Sequence, residues 1–299
     1  MKYRTIGDTG LEVSVLGMDV WANAIAVSTN SSESDKIRFL QESSELGITL
    51  FDLDDFQKEN YGENLLNKAL NQNRHEIVVS SKCVCNCVKG QNIHATGANS
   101  EDFSTAFIRR SCEDSLRALG TDYIDIYLIH CIPGHIYLHD RHVWLEALRA
   151  LVKEGKVRHI GVSTDVEQAL MDKYLNSHAD VIQTPYSILD RTLFDGLAQN
   201  NEMMNNSVLC KDPSGQMLLS EVRLLGIDSD LRKRVNKIRE LALSWDIKAE
   251  KIAVEFCLKN PYSCSILPVV ENISSVRGLC EGIDGRQISD ELMLEVETV

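Results

Sequence analysis

Short apolar runs alternate with helical patterns about eight times along this chain of 299 residues. The runs at 49–51, 77–79 and 208–210 have the length of buried strands, and amphipathic segments such as 34–46 and 104–119 accompany them. No Pro-, Gly- or Ser-rich linker and no short repeat divides the chain. Strands that alternate with helices form a parallel sheet covered by helices. We therefore predict an α/β fold in which residues 1–299 form a single (β/α)8 TIM barrel.

The N-terminal residues have the pattern of a β-hairpin. Tyr3–Ile6 precedes a turn at Gly7–Gly10, after which Leu11, Val13 and Val15 alternate with polar residues. The following segment, LGMDVW, leads into the first strand of the predicted barrel.

The charge balance disfavours several classes of partner. The chain has 44 acidic residues against 31 lysines and arginines, a net charge of −13, which opposes binding to nucleic acid and anionic membranes. No stretch approaches the roughly 20 apolar residues of a membrane span, and the N-terminus lacks the apolar core of a signal peptide. We expect a protein that acts on a small molecule, as a monomer or homodimer.

Nine cysteines are scattered through the chain. An odd number, in a chain long enough to bury a full core, indicates free thiols and a reducing cytoplasm. Several of them lie near histidines in the sequence. The cysteines and histidines grouped in this way are Cys83, Cys85, Cys87, His94, Cys131, His135, His139 and His142. Their C-x-C-x-C spacing is not the C-x₂-C of structural zinc sites, so we predict no metal.

Three predicted strands end on a titratable side chain. Asp52, Lys82 and His130 each close a mostly apolar run, and Asp54 and Asp55 follow the first of them. Reactive side chains in (β/α)8 barrels lie at the C-terminal ends of the strands, which makes these three the first candidates for an active site. A lysine at a barrel rim can also extend its ammonium to solvent without any catalytic role.

Two stretches resemble one enzyme family. FDLDDFQKENYGENLLNKAL at 51–70 and SLRALGTDYIDIYLIH at 115–130 are similar to the signatures of the aldo-keto reductases, and weaker similarity extends over essentially the whole chain. The resemblance implies a barrel whose floor is closed by the N-terminal hairpin and a nicotinamide cofactor, NADP(H) or NAD(H). It also implies a catalytic Asp-Tyr-Lys-His tetrad, in which Asp52, Lys82 and His130 supply three members.

The fourth position of the tetrad departs from the family. Gln57 stands where the family has its proton-donating tyrosine, and a carboxamide has no titratable proton. Losing a general acid typically costs about 10²–10⁴ in rate, so the resemblance predicts an altered proton donor. Tyr61, four residues on, is a candidate replacement; the alternative is an exposed or packed aromatic residue of the loop before the next helix.

The resemblance also marks positions for the cofactor. Ser163 and Gln183 match residues that hold the nicotinamide amide, whereas Thr164 replaces the family's asparagine and Lys211 replaces the aromatic residue that stacks on the ring. After Pro268, the segment that clasps the adenosine phosphate differs too. Its basic residue is Glu271, its adenine-binding asparagine is Leu279, and Arg277 is either a partial substitute or a solvated charge.

Three functions remain open on the sequence. The first is a nicotinamide-dependent oxidoreductase that interconverts a small carbonyl and alcohol. The second is a redox-silent lyase, dehydratase or epimerase that uses Lys82 as a base beside Asp52. The third is a non-catalytic protein that keeps the barrel as a scaffold, because fold alone does not decide function.

Overall fold

The structure is a computed structural model. It describes residues 1–20, 22–23, 31–53, 60–84, 104–131, 141–165, 167, 172, 177–191, 207–215, 219, 228–285 and 287–299.

Eight parallel strands form one sheet in which spatial neighbours are also neighbours in the sequence. Its two outer strands approach each other, because Leu16 forms a parallel bridge with Ile266 and the Gly17 amide donates to the Ile266 carbonyl at 2.8 Å. The sheet is therefore a nearly closed barrel, and the predicted (β/α)8 fold is confirmed. The strands are β3 (Met18–Asp19), β4 (Leu50–Asp52), β5 (Val78–Val84), β6 (Ile124–Cys131), β7 (Val157–Thr164), β8 (Val181–Pro185), β9 (Val208–Lys211) and β10 (Ser263–Leu267).

An antiparallel hairpin covers the N-terminal end of this barrel. It consists of β1 (Tyr3–Thr5) and β2 (Glu12–Ser14), and it buries Ile6 and Val13 completely. These two side chains belong to one apolar cluster with residues of the barrel strands: Leu50, Val78, Ile126, Leu128, Val181, Leu209, Cys264 and Leu267. The floor predicted from the sequence is present.

Helices cover the outside of the sheet and bury their apolar faces in a second, larger cluster that includes Tyr127 and Trp144. The described helices are α1 (Glu33–Glu45), α2 (Tyr61–Leu70), α3 (Thr105–Leu119), α4 (Arg141–Lys153), α5 (Ser229–Ser244), α6 (Ala249–Lys259), α7 (Ile273–Asp284) and α8 (Asp290–Glu297), and a 3₁₀ helix, Asn71–Glu76, follows α2. None of these described helices combines the length and apolarity needed to cross a membrane.

Element ends differ from the predictions where local hydrogen bonds decide them. Helix α1 begins earlier than Ser34, because the Ser32 side chain accepts from the Asp35 amide and Asp35 reciprocates in a capping box. The sequence predicts the last barrel strand at 265–268, and the observed β10 begins two residues earlier; its buried Ser265 is satisfied inside the fold, because the hydroxyl donates to the Ser14 carbonyl at 2.8 Å.

The N-terminal end of the barrel is held by a buried carboxylate. Asp125 accepts hydrogen bonds from Arg74 and Arg158, both at 2.8 Å, and from the Val79 amide at 3.0 Å. The two guanidinium groups lie on the Tyr123 ring, at 4.1 and 4.0 Å from its centroid. Two guanidinium groups thus neutralise this carboxylate at the N-terminal end of the barrel, whereas the reactive side chains of (β/α)8 barrels lie at the opposite end.

Candidate active site

Six polar residues predicted from the sequence lie on the interior face of consecutive barrel strands. Side chains alternate between the two faces of a strand, so a residue two positions beyond an interior residue also faces the interior. The apolar interior positions Leu50, Leu128, Val181 and Leu209 are each followed in this way by a polar residue. These residues, with their counterparts on β5 and β7, form what we call the polar row: Asp52, Lys82, His130, Ser163, Gln183 and Lys211.

Lys82 and Asp52 form a buried ion pair within the polar row. The Lys82 ammonium lies 2.6 Å from Asp52 Oδ2 and 2.8 Å from the Leu53 carbonyl oxygen, and both charged side chains are only 1% exposed. The second carboxylate oxygen, Asp52 Oδ1, is buried and makes no hydrogen bond to the part of the chain that is described. The pair places a fixed positive charge next to a carboxylate at the C-terminal end of β4 and β5.

His130 continues the polar row on β6. It pairs in register with Val84 of β5 on one side and with Ser163 of β7 on the other. Its side chain is partly exposed, unlike the buried residues that precede it on the strand. The imidazole is therefore the member of the row between the ion pair and Ser163.

Ser163 and Gln183 form a hydrogen-bonded pair on the next two strands. The Ser163 hydroxyl donates to Gln183 Oε1 at 2.7 Å, and the Lys211 ammonium lies 3.4 Å from the same hydroxyl. The close approach of β7 to β8 needs a glycine, since a Cβ on Gly161 would lie 1.9 Å from the Val181 carbonyl oxygen. The Gln183 amide nitrogen is buried without a hydrogen-bond partner among the described residues.

A cavity of about 270 Å³ opens at the same end of the barrel, beyond β10 and beside the first turns of α6 and α7. Its apolar walls include Ile247, Val270 and Leu279, and its charged lining includes Glu271. Ser214, which the sequence reasoning did not single out as a site residue, also lines it. The sequence signal for Ser214 is its position three residues after the end of β9.

The sequence profile of the aldo/keto reductase family matches residues 16–299. The chain belongs to this family. Among curated relatives, it is 26% identical to L-galactose dehydrogenase of Arabidopsis thaliana, covering 100% of the chain and 94% of the relative. It is 23% identical to the uncharacterized oxidoreductase YqkF of Bacillus subtilis, covering 97% and 94%.

Solved structures support the same assignment. The holo form of the aldo-keto reductase AKR11C1 from Bacillus halodurans superimposes with a TM-score of 0.81 and 25% identity, covering 100% of the chain and 96% of that structure. Its apo form gives a TM-score of 0.74. The chain is therefore an aldo-keto reductase-type, NAD(P)H-dependent oxidoreductase by family.

Three site residues predicted from the resemblance to aldo-keto reductases, Tyr61, Thr164 and Arg277, lie outside the polar row. A fourth, Gln57, falls outside the described residues. Thr164 follows Ser163 on β7 and so alternates to the outer face, where it pairs in register with Cys131. The Tyr61 ring, at the start of α2, lies under the Lys36 ammonium of α1 at 5.6 Å. Arg277 is an exposed residue of α7 and is not part of the lining of the cavity.

The described residues fit the nicotinamide cofactor of the aldo-keto reductases in one respect that the structure itself tests. A buried amide nitrogen without a partner is costly, and the Gln183 amide could donate to the carboxamide oxygen of a nicotinamide. Lys211, in contrast, brings a positive charge to the place of the family's aromatic residue. In the described part of the chain no three His, Cys, Asp or Glu side chains form a metal-binding group; Cys85, Cys87, His94, His135 and His139 lie outside it.

Proposed function

We propose that the protein transfers a hydride between a nicotinamide dinucleotide and a small carbonyl or alcohol substrate. The observation that carries this proposal is the polar row: the Lys82–Asp52 ion pair and His130 share one end of the barrel with Ser163 and Gln183. The Lys82–Asp52 pair and His130 can stabilise and orient the reacting oxygen of the substrate. Ser163 and Gln183 can hydrogen-bond to the carboxamide group of the nicotinamide. A bound dihydronicotinamide supplies the hydride in such a reaction.

The roles follow from the charges in the polar row. Negative charge develops on the substrate oxygen during reduction, and the Lys82 ammonium, fixed by Asp52, stabilises it electrostatically. His130 donates a hydrogen bond that orients the carbonyl group. Asp52, whose carboxylate lies 2.6 Å from the Lys82 nitrogen, holds that side chain in place beside the reacting group.

The proton comes from a different group than in other members of the family. Gln57 can hydrogen-bond to the substrate but has no proton to give. The contact of Tyr61 with Lys36 on α1 favours a packing role for that ring. We propose that a water molecule or a hydroxyl group of the substrate is the proton donor, with Tyr61 as the residue to be tested against it.

A redox-silent reaction on the same barrel is the competing function. It would use Lys82 as a base, which requires a neutral amine within reach of the substrate. The observed lysine is ion-paired and almost completely buried, which favours an electrostatic role over a basic one. The presence of nucleotide-dependent turnover therefore separates the two functions.

The test is an activity screen with nucleotide-free protein. Small aldehydes and ketones are offered with NADH or NADPH, and sugars and alcohols with the oxidised forms, and nucleotide absorbance is followed. We expect turnover that requires added nucleotide and is lost in the double variant Asp52→Leu/Lys82→Met, which removes both charges together. The matched control is Lys233→Met, which removes a lysine from an exposed ion pair with Asp230. Turnover without nucleotide, or turnover that survives in the double variant, would overturn the proposal.

A further inference from the structure

We infer that the cavity beside Glu271 receives an adenosine whose ribose carries no phosphate, so that the protein selects NAD(H) over NADP(H). This inference rests on the proposed function, since it specifies which dinucleotide serves the polar row. It is carried by the shape, the polarity and the charge of the cavity.

The cavity has the form of a site for an aromatic base with polar attachments. It measures about 270 Å³ and has apolar walls from Ile247, Val270 and Leu279. Binding sites are concave and mostly apolar, with a few polar groups that fix orientation. The hydroxyl of Ser214 is such a group: the residue is 6% exposed, and its Oγ has no hydrogen-bond partner within the described chain. A buried, unpaired hydroxyl in a cavity is explained when a ligand completes its hydrogen bonds.

The cavity and the polar row are connected by a short stretch of the chain. Lys211 ends β9 inside the row, and Ser214 lies three residues later in a turn closed by the Gly215 amide, which donates to the Asp212 carbonyl at 3.0 Å. Three residues span at most about 10 Å. A dinucleotide is longer than this, so one molecule can reach from the row into the cavity across the turn.

The charges around the cavity are unsuited to a ribose phosphate. Its lining contains three carboxylates, Asp246, Glu250 and Glu271, and two lysines, Lys248 and Lys251. The Lys251 ammonium lies 3.6 Å from the carboxylate of Glu255. The lining includes no arginine among the described residues, although an arginine fork is the usual partner of a phosphate.

The carboxylate of Glu271 has opposite effects on the two dinucleotides. A carboxylate accepts hydrogen bonds from ribose hydroxyl groups, whereas it repels the dianion that a phosphate on the ribose would introduce. Glu271 is exposed, so solvent weakens the repulsion. Two unit charges of the phosphate at about 5 Å in water still correspond to roughly a tenfold loss of affinity.

The experiment measures affinity and does not depend on turnover. Trp245 adjoins the cavity residue Asp246, so tryptophan fluorescence, checked by calorimetry, reports binding of NADH and NADPH. The fragments ADP-ribose and 2′-phospho-ADP-ribose are titrated as well, because they lack the nicotinamide and so isolate the cavity. We expect NADH and ADP-ribose each to bind at least roughly tenfold more tightly than the phosphorylated counterpart.

Two charge-reversed variants locate the effect. Glu271→Lys should reduce the preference for the unphosphorylated ligand at least roughly tenfold. Glu281→Lys reverses a charge on α7, the helix that begins two residues after Glu271, but outside the cavity lining, and should leave the preference unchanged. Equal affinity for both dinucleotides, tighter binding of NADPH, or an unchanged preference in Glu271→Lys would overturn the inference. Failure of both dinucleotides to bind at millimolar concentration would instead contradict the proposed function itself.

Discussion

The Lys82 ammonium lies 2.6 Å from the Asp52 carboxylate, and both side chains are almost completely excluded from solvent. Burying two charges costs several kcal/mol per ion, and the attraction between them repays this only when the geometry is good. An apolar pair of similar volume would often be as stable. The pair is therefore better explained by its position at the end of the polar row than by any contribution to folding.

The first prediction concerns the two halves of this ion pair. Lys82→Met alone leaves the Asp52 carboxylate buried and without its cation, and should lower the free energy of unfolding by about 3–5 kcal/mol. The double variant Asp52→Leu/Lys82→Met should recover most of this loss while remaining inactive. Urea denaturation measures both effects. If Lys82→Met were as stable as the native protein, the buried Asp52 carboxylate would not need the lysine as its counter-charge, and the prediction would be wrong.

The second prediction concerns the missing proton donor. Gln57→Tyr restores the hydroxyl at the family's position and should raise the rate of carbonyl reduction by about 10² or more, the typical contribution of a general acid. Gln57→Phe adds the ring without the hydroxyl and should give no gain. Steady-state rates with the best substrate compare the variants. Equal rates in Gln57→Tyr and Gln57→Phe would mean that a tyrosine hydroxyl at this position does not donate the proton.

The third prediction separates Tyr61 from catalysis. Its ring contacts Lys36 between α1 and α2, so Tyr61→Phe, which keeps the ring, should change the turnover rate by less than about twofold. A loss on the order of 10² would identify Tyr61 as the general acid. The pH dependence of the turnover rate, measured in the native protein and in Tyr61→Phe, should likewise be the same in both.

The fourth prediction concerns Lys211. Its ammonium lies at the Ser163 hydroxyl, and an oxidised nicotinamide ring is a cation whereas the reduced ring is neutral. Like charges repel, so Lys211→Met should tighten binding of the oxidised cofactor relative to the reduced one by roughly tenfold. Fluorescence titration with both forms gives this ratio. A ratio that does not change would place the ammonium too far from the ring to matter.

The fifth prediction concerns pH. Burial raises the pKa of the Cys210 and Cys264 thiols to about 12, whereas in the unfolded chain these thiols ionise near 9. The folded state thus keeps protons that the unfolded state releases as the pH rises above 9. The contribution of the two thiols to the free energy of unfolding is therefore complete below pH 9 and is lost as the pH rises towards 12. Between pH 9 and 10, the release of each thiol proton in the unfolded state should lower the free energy of unfolding by about 1 kcal/mol. Denaturation of Cys210→Ala/Cys264→Ala should show a smaller decrease over this interval than the native protein.

The sequence predicted those parts of the site that follow from strand periodicity. Asp52, Lys82 and His130 end apolar runs, and alternation places all three inside the barrel once the strands are parallel. Ser214 could not be found in this way, because its burial depends on how the turn after β9 meets α6 and α7. The sequence left Tyr61 open between a substitute proton donor and an exposed or packed aromatic residue, since its contact with Lys36 of a neighbouring helix leaves no pattern within either segment.

The most direct test of the account is hydride transfer itself. The protein is incubated with a small carbonyl substrate and NADH deuterated at the transferable position, and the product is analysed by mass spectrometry. We predict one deuterium on the carbinol carbon of the product, formed by the native protein and absent with Asp52→Leu/Lys82→Met. Product without deuterium, or product formed in the absence of nucleotide, would contradict the assignment of the polar row to nicotinamide chemistry.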